Sequence, residues 1–335
     1  MLCFMRSAAF SPQGIMAYIK AAGRRVINVF SNEKSAAANL HNSTAAQEMA
    51  NRRSQVMLRG NFHTHTIFCD GMNTAREMAE KALELGFTHL GFSGHMDPDI
   101  RVDLEAYNAE ICRMQELFRG KMDILRGVEL DVLYQPQGEE EARLLKEMEF
   151  VIGSTHFAEG AAGELFAVDN TPEIFTEGCR RFFDGDYYRL AKAYYELEAQ
   201  VYDRLQCTFI GHFDLVTRFN DDLHYLDETD PRYYGPALEA MEYLASKGVP
   251  FEINCGAVNR GRKAELYPNR FFLKKLKEMG GEIVINSDAH HRDLLNGGFD
   301  IAVRTAMECG FTHTNYLEHS ADGRIGFRQI PLDLV

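Results

Sequence analysis

Two histidines one residue apart, His63 and His65, open a series of side chains of types able to bind metal ions, in the stretch Asn61-Phe62-His63-Thr64-His65-Thr66-Ile67-Phe68-Cys69-Asp70-Gly71. Residues i and i+2 of a strand point to the same side. The pair can therefore grip one ion, or it can furnish the solvated face of a strand, and the rest of the sequence has to decide. Downstream, His95, Glu129, His156, His212, Asp288 and His290 stand at the ends of short apolar runs. Chance puts a histidine at one or two such ends. Six of seven runs finishing this way is hard to explain as packing. Buried His, Asp and Glu without partners are costly, and a shared metal cluster supplies the partners. Imidazole and carboxylate ligands suit zinc, iron or manganese, among which the sequence does not choose.

The elements that must carry these residues follow from periodicity. The apolar runs fall at 61–65, 88–95, 123–130, 150–157, 208–214, 250–256 and 282–288. Helical patterns lie between them at 74–86, 103–118, 187–205, 236–248 and 269–281, with a last one at 299–310. In the first, Met78, Ala82 and Leu85 recur at helical spacing and Gly86 stands where a C-cap belongs. Strands alternating with helices imply parallel βα units. Seven units in one chain predict an α/β barrel, with a doubly wound open sheet as the alternative. In βα barrels the C-terminal strand ends converge on one face, where active sites are built.

Composition narrows the setting. The chain has 335 residues, 45% hydrophobic and 25% charged, an ordinary globular balance. No apolar run is long enough to cross a membrane. A net charge of −13 argues against a broad nucleic-acid surface. Seven scattered cysteines without paired spacing suit a reducing compartment, so a cytoplasmic location is expected. Residues 1–56 hold seven Lys/Arg against two Glu and resemble a transit segment or the product of a start upstream of Met57. They are expected to form a poorly ordered, non-catalytic extension, with 13–30 able to form a helix. The catalytic domain is expected over 57–335.

The motifs His63-Thr64-His65 with Cys69-Asp70-Gly71, Ser93-Gly94-His95, Gly127-Val128-Glu129, Gly153-Ser154-Thr155-His156, Gly211-His212-Phe213-Asp214 and Ser287-Asp288-Ala289-His290 occur in this order at βα spacing. Together they resemble the PHP (polymerase and histidinol phosphatase) family over roughly residues 60–310. The resemblance implies a distorted seven-stranded (β/α)7 barrel with a trinuclear site of three divalent ions. On that pattern His63, His65, Glu129 and Asp288 hold one ion. Glu129 bridges to a second, completed by His156 and His212, and Asp70, His95 and His290 hold the third. Many members carry Glu-His where this chain has Gly94-His95. Glu129, Asp288 and His156 are the ligands expected to carry catalysis. Three divalent ions exceed the charge of Asp70, Glu129 and Asp288, leaving a surplus for a hydroxide and a phosphate dianion. Metal-bound water can ionise near neutrality, so phosphomonoester hydrolysis needs no protein nucleophile.

Two segments address the substrate. His212–Phe219 resembles the histidinol-phosphatase branch, whose motif continues to an arginine, here Arg218. The segment 253–268 resembles that branch's Asn-rich strand end, with Arg262 the better match and Arg260 the fallback. Guanidinium groups make forked bonds to phosphate, so Arg218 and Arg262 are phosphate-clamp candidates; the plain alternative is a surface arginine paired with an acid. The expected reaction is L-histidinol phosphate plus water giving L-histidinol and phosphate, in histidine biosynthesis. Another small phosphomonoester or a nucleotide is the alternative, and a homo-oligomer is open. The insertion 158–186 is read as either a lid over the substrate or a packed surface loop. His89 reads as a core or interface residue, His291 as pointing away from the cluster or lining the pocket, and Cys69 as a small packing residue.

Overall fold

The structure is a computed structural model and describes residues 58–334. The expected extension 1–56 and its helix at 13–30 lie outside the described residues.

Seven parallel strands follow one another in space as they do in sequence: β1 (Gly60–Asn61), β2 (His89–Met96), β3 (Asp123–Asp131), β4 (Phe150–Ser154), β5 (Phe209–Ile210), β6 (Phe251–Asn254) and β7 (Ile283–Asn286). Beyond the ends of β1 and β7 the sheet meets itself. His65 N donates to Ala289 O at 2.9 Å and Ala289 N to His63 O at 3.1 Å, a parallel bridge that nearly closes the barrel. Each of the seven expected runs contains strand, but 61–65 keeps only Asn61 in β1 and 208–214 only Phe209–Ile210, so His63, His65 and His212 lie beyond their strands. The open-sheet alternative does not hold, because an open sheet would leave these two edges unpaired.

Helices α1 (Ala75–Glu84), α2 (Leu104–Phe118), α3 (Glu139–Lys146), α4 (Pro172–Phe182), α5 (Tyr187–Glu198), α6 (Val201–Leu205), α7 (Pro231–Ser246) and α8 (Arg270–Glu278) lie between the strands, and α9 (Phe299–Glu308) follows β7. Their starts are written locally. Thr74 and Glu77 form a reciprocal capping box at α1, with Glu77 N donating to Thr74 Oγ1 at 3.2 Å and Thr74 N to Glu77 Oε2 at 2.9 Å. The single helix expected over 187–205 is two. Gln200 N donates to Leu197 O at 2.8 Å, tightening the turn and ending α5. Helix α7 starts at Pro231, earlier than expected, because Asp230 caps it by accepting from Arg232 N at 2.8 Å. Pro236, which suggests a start, sits inside the helix instead.

The insertion 158–186 is a packed unit. An antiparallel hairpin pairs Phe157–Glu159 with Leu165–Ala167, and α4 follows. Phe166, Phe175 and Cys179 are buried in the core, and the Phe175 ring lies 4.8 Å from that of Tyr225. A second hairpin, His313–His319 with Ile325–Pro331, has no counterpart among the sequence-based expectations. It crosses the N-terminal strand ends. Arg59 N donates to Tyr316 Oη at 2.7 Å, Asn315 Nδ2 to Ile283 O at 3.2 Å, and His319 N to Asp123 Oδ2 at 3.0 Å. The hairpin thus covers this end of the barrel at β1, β3 and β7, opposite the C-terminal strand ends.

Candidate metal centre

All nine ligand-type side chains gather at the C-terminal ends of the barrel strands. His63 and His65 follow β1, with Asp70 in the turn beyond; His95 and Glu129 are in β2 and β3; His156, His212, Asp288 and His290 follow β4, β5 and β7. The turn holding Asp70 folds back tightly. A Cβ on Gly71 would come within 2.5 Å of the His65 carbonyl carbon, so only glycine follows Asp70 here.

The expected groupings are compact. Glu129 Oε2 lies 3.1 Å from His63 Nε2 and 3.5 Å from His65 Nε2. Asp288 Oδ1 lies 3.7 and 3.4 Å from the same two atoms. The other Glu129 oxygen lies 2.8 Å from His212 Nε2 and 3.2 Å from His156 Nε2. Asp70 faces His290 Nε2 at 3.1 Å and His95 Nε2 at 3.6 Å. His95 also turns Nδ1 to Glu129 at 3.0 Å, so this ring stands between two groups.

The donor set fits divalent cations. His63 Nε2, His65 Nε2, His95 Nδ1 and Glu129 Oε2 are buried and make no hydrogen bond among the described residues, although they crowd together. Such orphaned atoms are rare in native interiors, and nitrogen and oxygen ligands of this kind suit zinc, iron or manganese. Burial alone would raise the Glu129 carboxyl, yet His63, His95 and His156 hold it well below the usual carboxylate range. Asp288 is likewise held low against its burial, by Arg260 and then His63. Burial, with the neighbouring His290 and His95, lowers the His65 pKa to about 3. That ring is neutral at physiological pH, the form that binds metal.

Further residues support the ligands. Ser154 Oγ donates to Glu129 Oε1 at 2.8 Å, and Asp131 Oδ2 accepts from His156 N at 2.7 Å. Arg260 donates to Asp288 Oδ2 at 3.0 Å and to its carbonyl at 2.8 Å, and lies 3.1 Å from His290 Nδ1. These bonds hold Asp288 in a left-handed conformation, φ 51°, uncommon outside glycine. Sequence reasoning does not single out Ser154 or Asp131. Asp131 carries a usable signal, since it shares the face of β3 with Glu129 at i+2.

Above the cluster lies a cavity of about 540 Å³, lined by Arg218, Arg260 and Arg262 and by Asp97, Asp99 and Asp169. Both phosphate-clamp candidates therefore reach it, as does the fallback Arg260. Burial, then the charges of Arg218 and Arg260, lowers the Arg262 pKa, so three guanidiniums converge. Arg218 has Asp169 at 3.8 Å. His291 lines the cavity without joining the cluster. His89 packs edge-on to Tyr316 at 5.6 Å, an interface role, and Cys69 Sγ lies 3.6 Å from His65 Nδ1.

The barrel and its cluster define a class. The PHP domain model matches residues 61–256, and the chain belongs to the PHP domain family. It is 33% identical over 264 residues to the "Probable histidinol-phosphatase" of Deinococcus radiodurans, covering 74% of this chain and 92% of that protein. In fold it matches a solved chain from Listeria monocytogenes with a TM-score of 0.63 at 20% identity, covering 72% of this chain and 99% of that one. It also matches the histidinol phosphate phosphatase of Lactococcus lactis, solved with zinc, L-histidinol and phosphate, with a TM-score of 0.55 at 21% identity, over 80% of this chain and 98% of that one. No helix among the described residues is long and apolar enough to cross a membrane.

Proposed function

We propose that this chain hydrolyses L-histidinol phosphate to L-histidinol and phosphate at a centre of three divalent ions, zinc, iron or manganese, as a cytoplasmic enzyme of histidine biosynthesis. The observation that carries the reading is the cavity, in which a ligand cluster, three arginines and three further aspartates share one space. A phosphate dianion joined to an imidazole and an amine matches that mixture of charge. The name of the Deinococcus radiodurans relative supports the same substrate.

In this reading His63, His65, Glu129 and Asp288 hold one ion, Glu129 with His156 and His212 a second, and Asp70, His95 and His290 the third. Bound divalent ions supply Lewis acidity toward water and phosphate oxygens. Arg218 and Arg262 bind the phosphate by charge-assisted hydrogen bonds. Arg260 is tied to Asp288 and keeps that ligand in place. Asp97, Asp99 and Asp169 face the cationic end of the substrate. Among the described residues no serine, threonine or cysteine lines the cavity, which supports water as the nucleophile.

The test is phosphate release from L-histidinol phosphate by protein stripped of metal and reloaded with zinc or manganese, beside sugar, nucleotide and amino-alcohol phosphates. A kcat/KM of about 10⁴ M⁻¹s⁻¹ or more for histidinol phosphate alone is the expected result. Comparable weak rates across the panel would sink the substrate and leave a metal-dependent phosphoesterase. No restored hydrolysis of any ester would sink the catalytic reading.

A further inference from the structure

Strand β6 is the one barrel strand whose end provides none of the nine ligand-type side chains. It nevertheless carries a carboxylate, Glu252, fully buried beneath the cluster. Its Oε1 lies 2.7 Å from His63 Nδ1 and accepts from Asn286 Nδ2 at 3.0 Å. Its Oε2 accepts from the backbone N–H of His212 at 3.0 Å and from Asn254 Nδ2 at 2.9 Å.

The orientations of both amides are set independently of Glu252. Asn286 Oδ1 accepts from Phe62 N at 2.8 Å, and Asn254 Oδ1 accepts from Gly256 N at 2.7 Å. Each amide nitrogen must therefore turn toward Glu252 as a donor. With the His212 N–H, that makes three donors aimed at one carboxyl group. A carboxylate accepting several N–H bonds stays ionised and is acceptor-only. The fourth neighbour, His63 Nδ1, must then carry a proton. A neutral ring protonated at Nδ1 presents a lone pair at Nε2, the atom that faces Glu129 at 3.1 Å and Asp288 at 3.7 Å.

We infer that Glu252 is a positioning residue for the metal centre. It selects the tautomer of His63 that ligates through Nε2, and it anchors the backbone of His212, so one buried carboxylate organises ligands of two of the proposed ions. Carboxylates that accept from a ligating imidazole are known to set ring orientation and raise ligand basicity. Glutamine cannot replace it, because the amide nitrogen would meet an N–H donor on whichever side it faced. The inference rests on the metal reading above but not on the substrate.

Two measurements decide it. Zinc affinity of Glu252→Gln, by competition with a chromophoric chelator, is expected to fall about 10–100-fold, and at saturating zinc kcat falls while KM for the phosphate ester holds. Wild-type affinity in that variant would overturn the inference. In case the variant does not fold, the imidazole nitrogen spectrum of zinc-loaded wild type is read directly. A proton on His63 Nδ1 with zinc on Nε2 is expected, and the reverse assignment overturns the inference. Loaded wild type that shows this tautomer yet leaves histidinol phosphate intact would sink the substrate assignment while Glu252 keeps its role.

Discussion

His95 on β2 and Glu129 on β3 are register partners, and their side chains meet at 3.0 Å between Nδ1 and Oε2. Direct cross-strand neighbours on the cluster side of a parallel sheet bring their side chains together at its C-terminal end. Glu129 meets four other imidazoles besides, those of His63, His65, His156 and His212, all within 3.5 Å. No other carboxylate in the cluster touches so many rings.

Glu129→Gln should therefore damage more than one ion site. Metal content measured by elemental analysis is expected to fall for at least two of the proposed ions. The loss in affinity should exceed the roughly 100-fold that outer residues typically produce. A variant that keeps its full complement of metal would show that Glu129 is not the shared ligand.

The arginines separate by role. Arg262 stands among charges of its own sign and is free to meet an anion. Arg262→Ala is expected to raise KM for the phosphate ester about 10–100-fold, the loss of a charge-assisted hydrogen bond, with metal content unchanged. Arg260→Ala should instead lower metal content, since Arg260 bonds to Asp288 and adjoins His290. The opposite pattern would exchange the two assignments.

The insertion is best probed by a point change. Deleting 158–186 would strip Phe166, Phe175 and Cys179 from the core, so a raised KM in such a deletion would not distinguish a lid from a damaged fold. Asp169→Asn leaves that packing alone. It should raise KM for L-histidinol phosphate and leave KM for a phosphate ester with an uncharged tail nearly unchanged. Equal effects on both esters would mean that Asp169 only steadies Arg218.

The hairpin-covered end of the barrel carries its own pH dependence. His319 bonds to Asp123 at 2.7 Å and to Glu149 at 3.1 Å. Burial lowers its pKa, but the two carboxylates outweigh this and raise it above the ordinary 6.5. A histidine raised on folding stabilises fully below about 6.5 and loses that contribution as pH climbs through its folded value. Thermal melts of metal-loaded wild type and His319→Gln should therefore differ more at pH 6 than at pH 9. A gap that widens toward pH 9 would overturn this.

Much of the site was legible from side-chain chemistry and period. The seven apolar runs at βα spacing specify parallel βα units, because alternating periodicities leave few ways to bury both faces; barrel against open sheet is decided by the bridge between Thr64 and Ala289. The ligand-type residues at strand ends predict a metal site, because unpaired they are costly to bury there. What the linear chain does not hold is contact across distance. Glu252 reads as one more strand residue until His63, far earlier in the chain, is seen to point Nδ1 at it. Arg260 and Arg262 are two residues apart and chemically alike, yet one is bound to Asp288 and the other has no such tie. The C-terminal hairpin shows no local sign of its place, since Tyr316 and His319 find their partners at Arg59 and Asp123. Residue type and spacing carry local conformation and burial. Which buried polar atom meets which is a matter of register and packing, and only the closed barrel decides it.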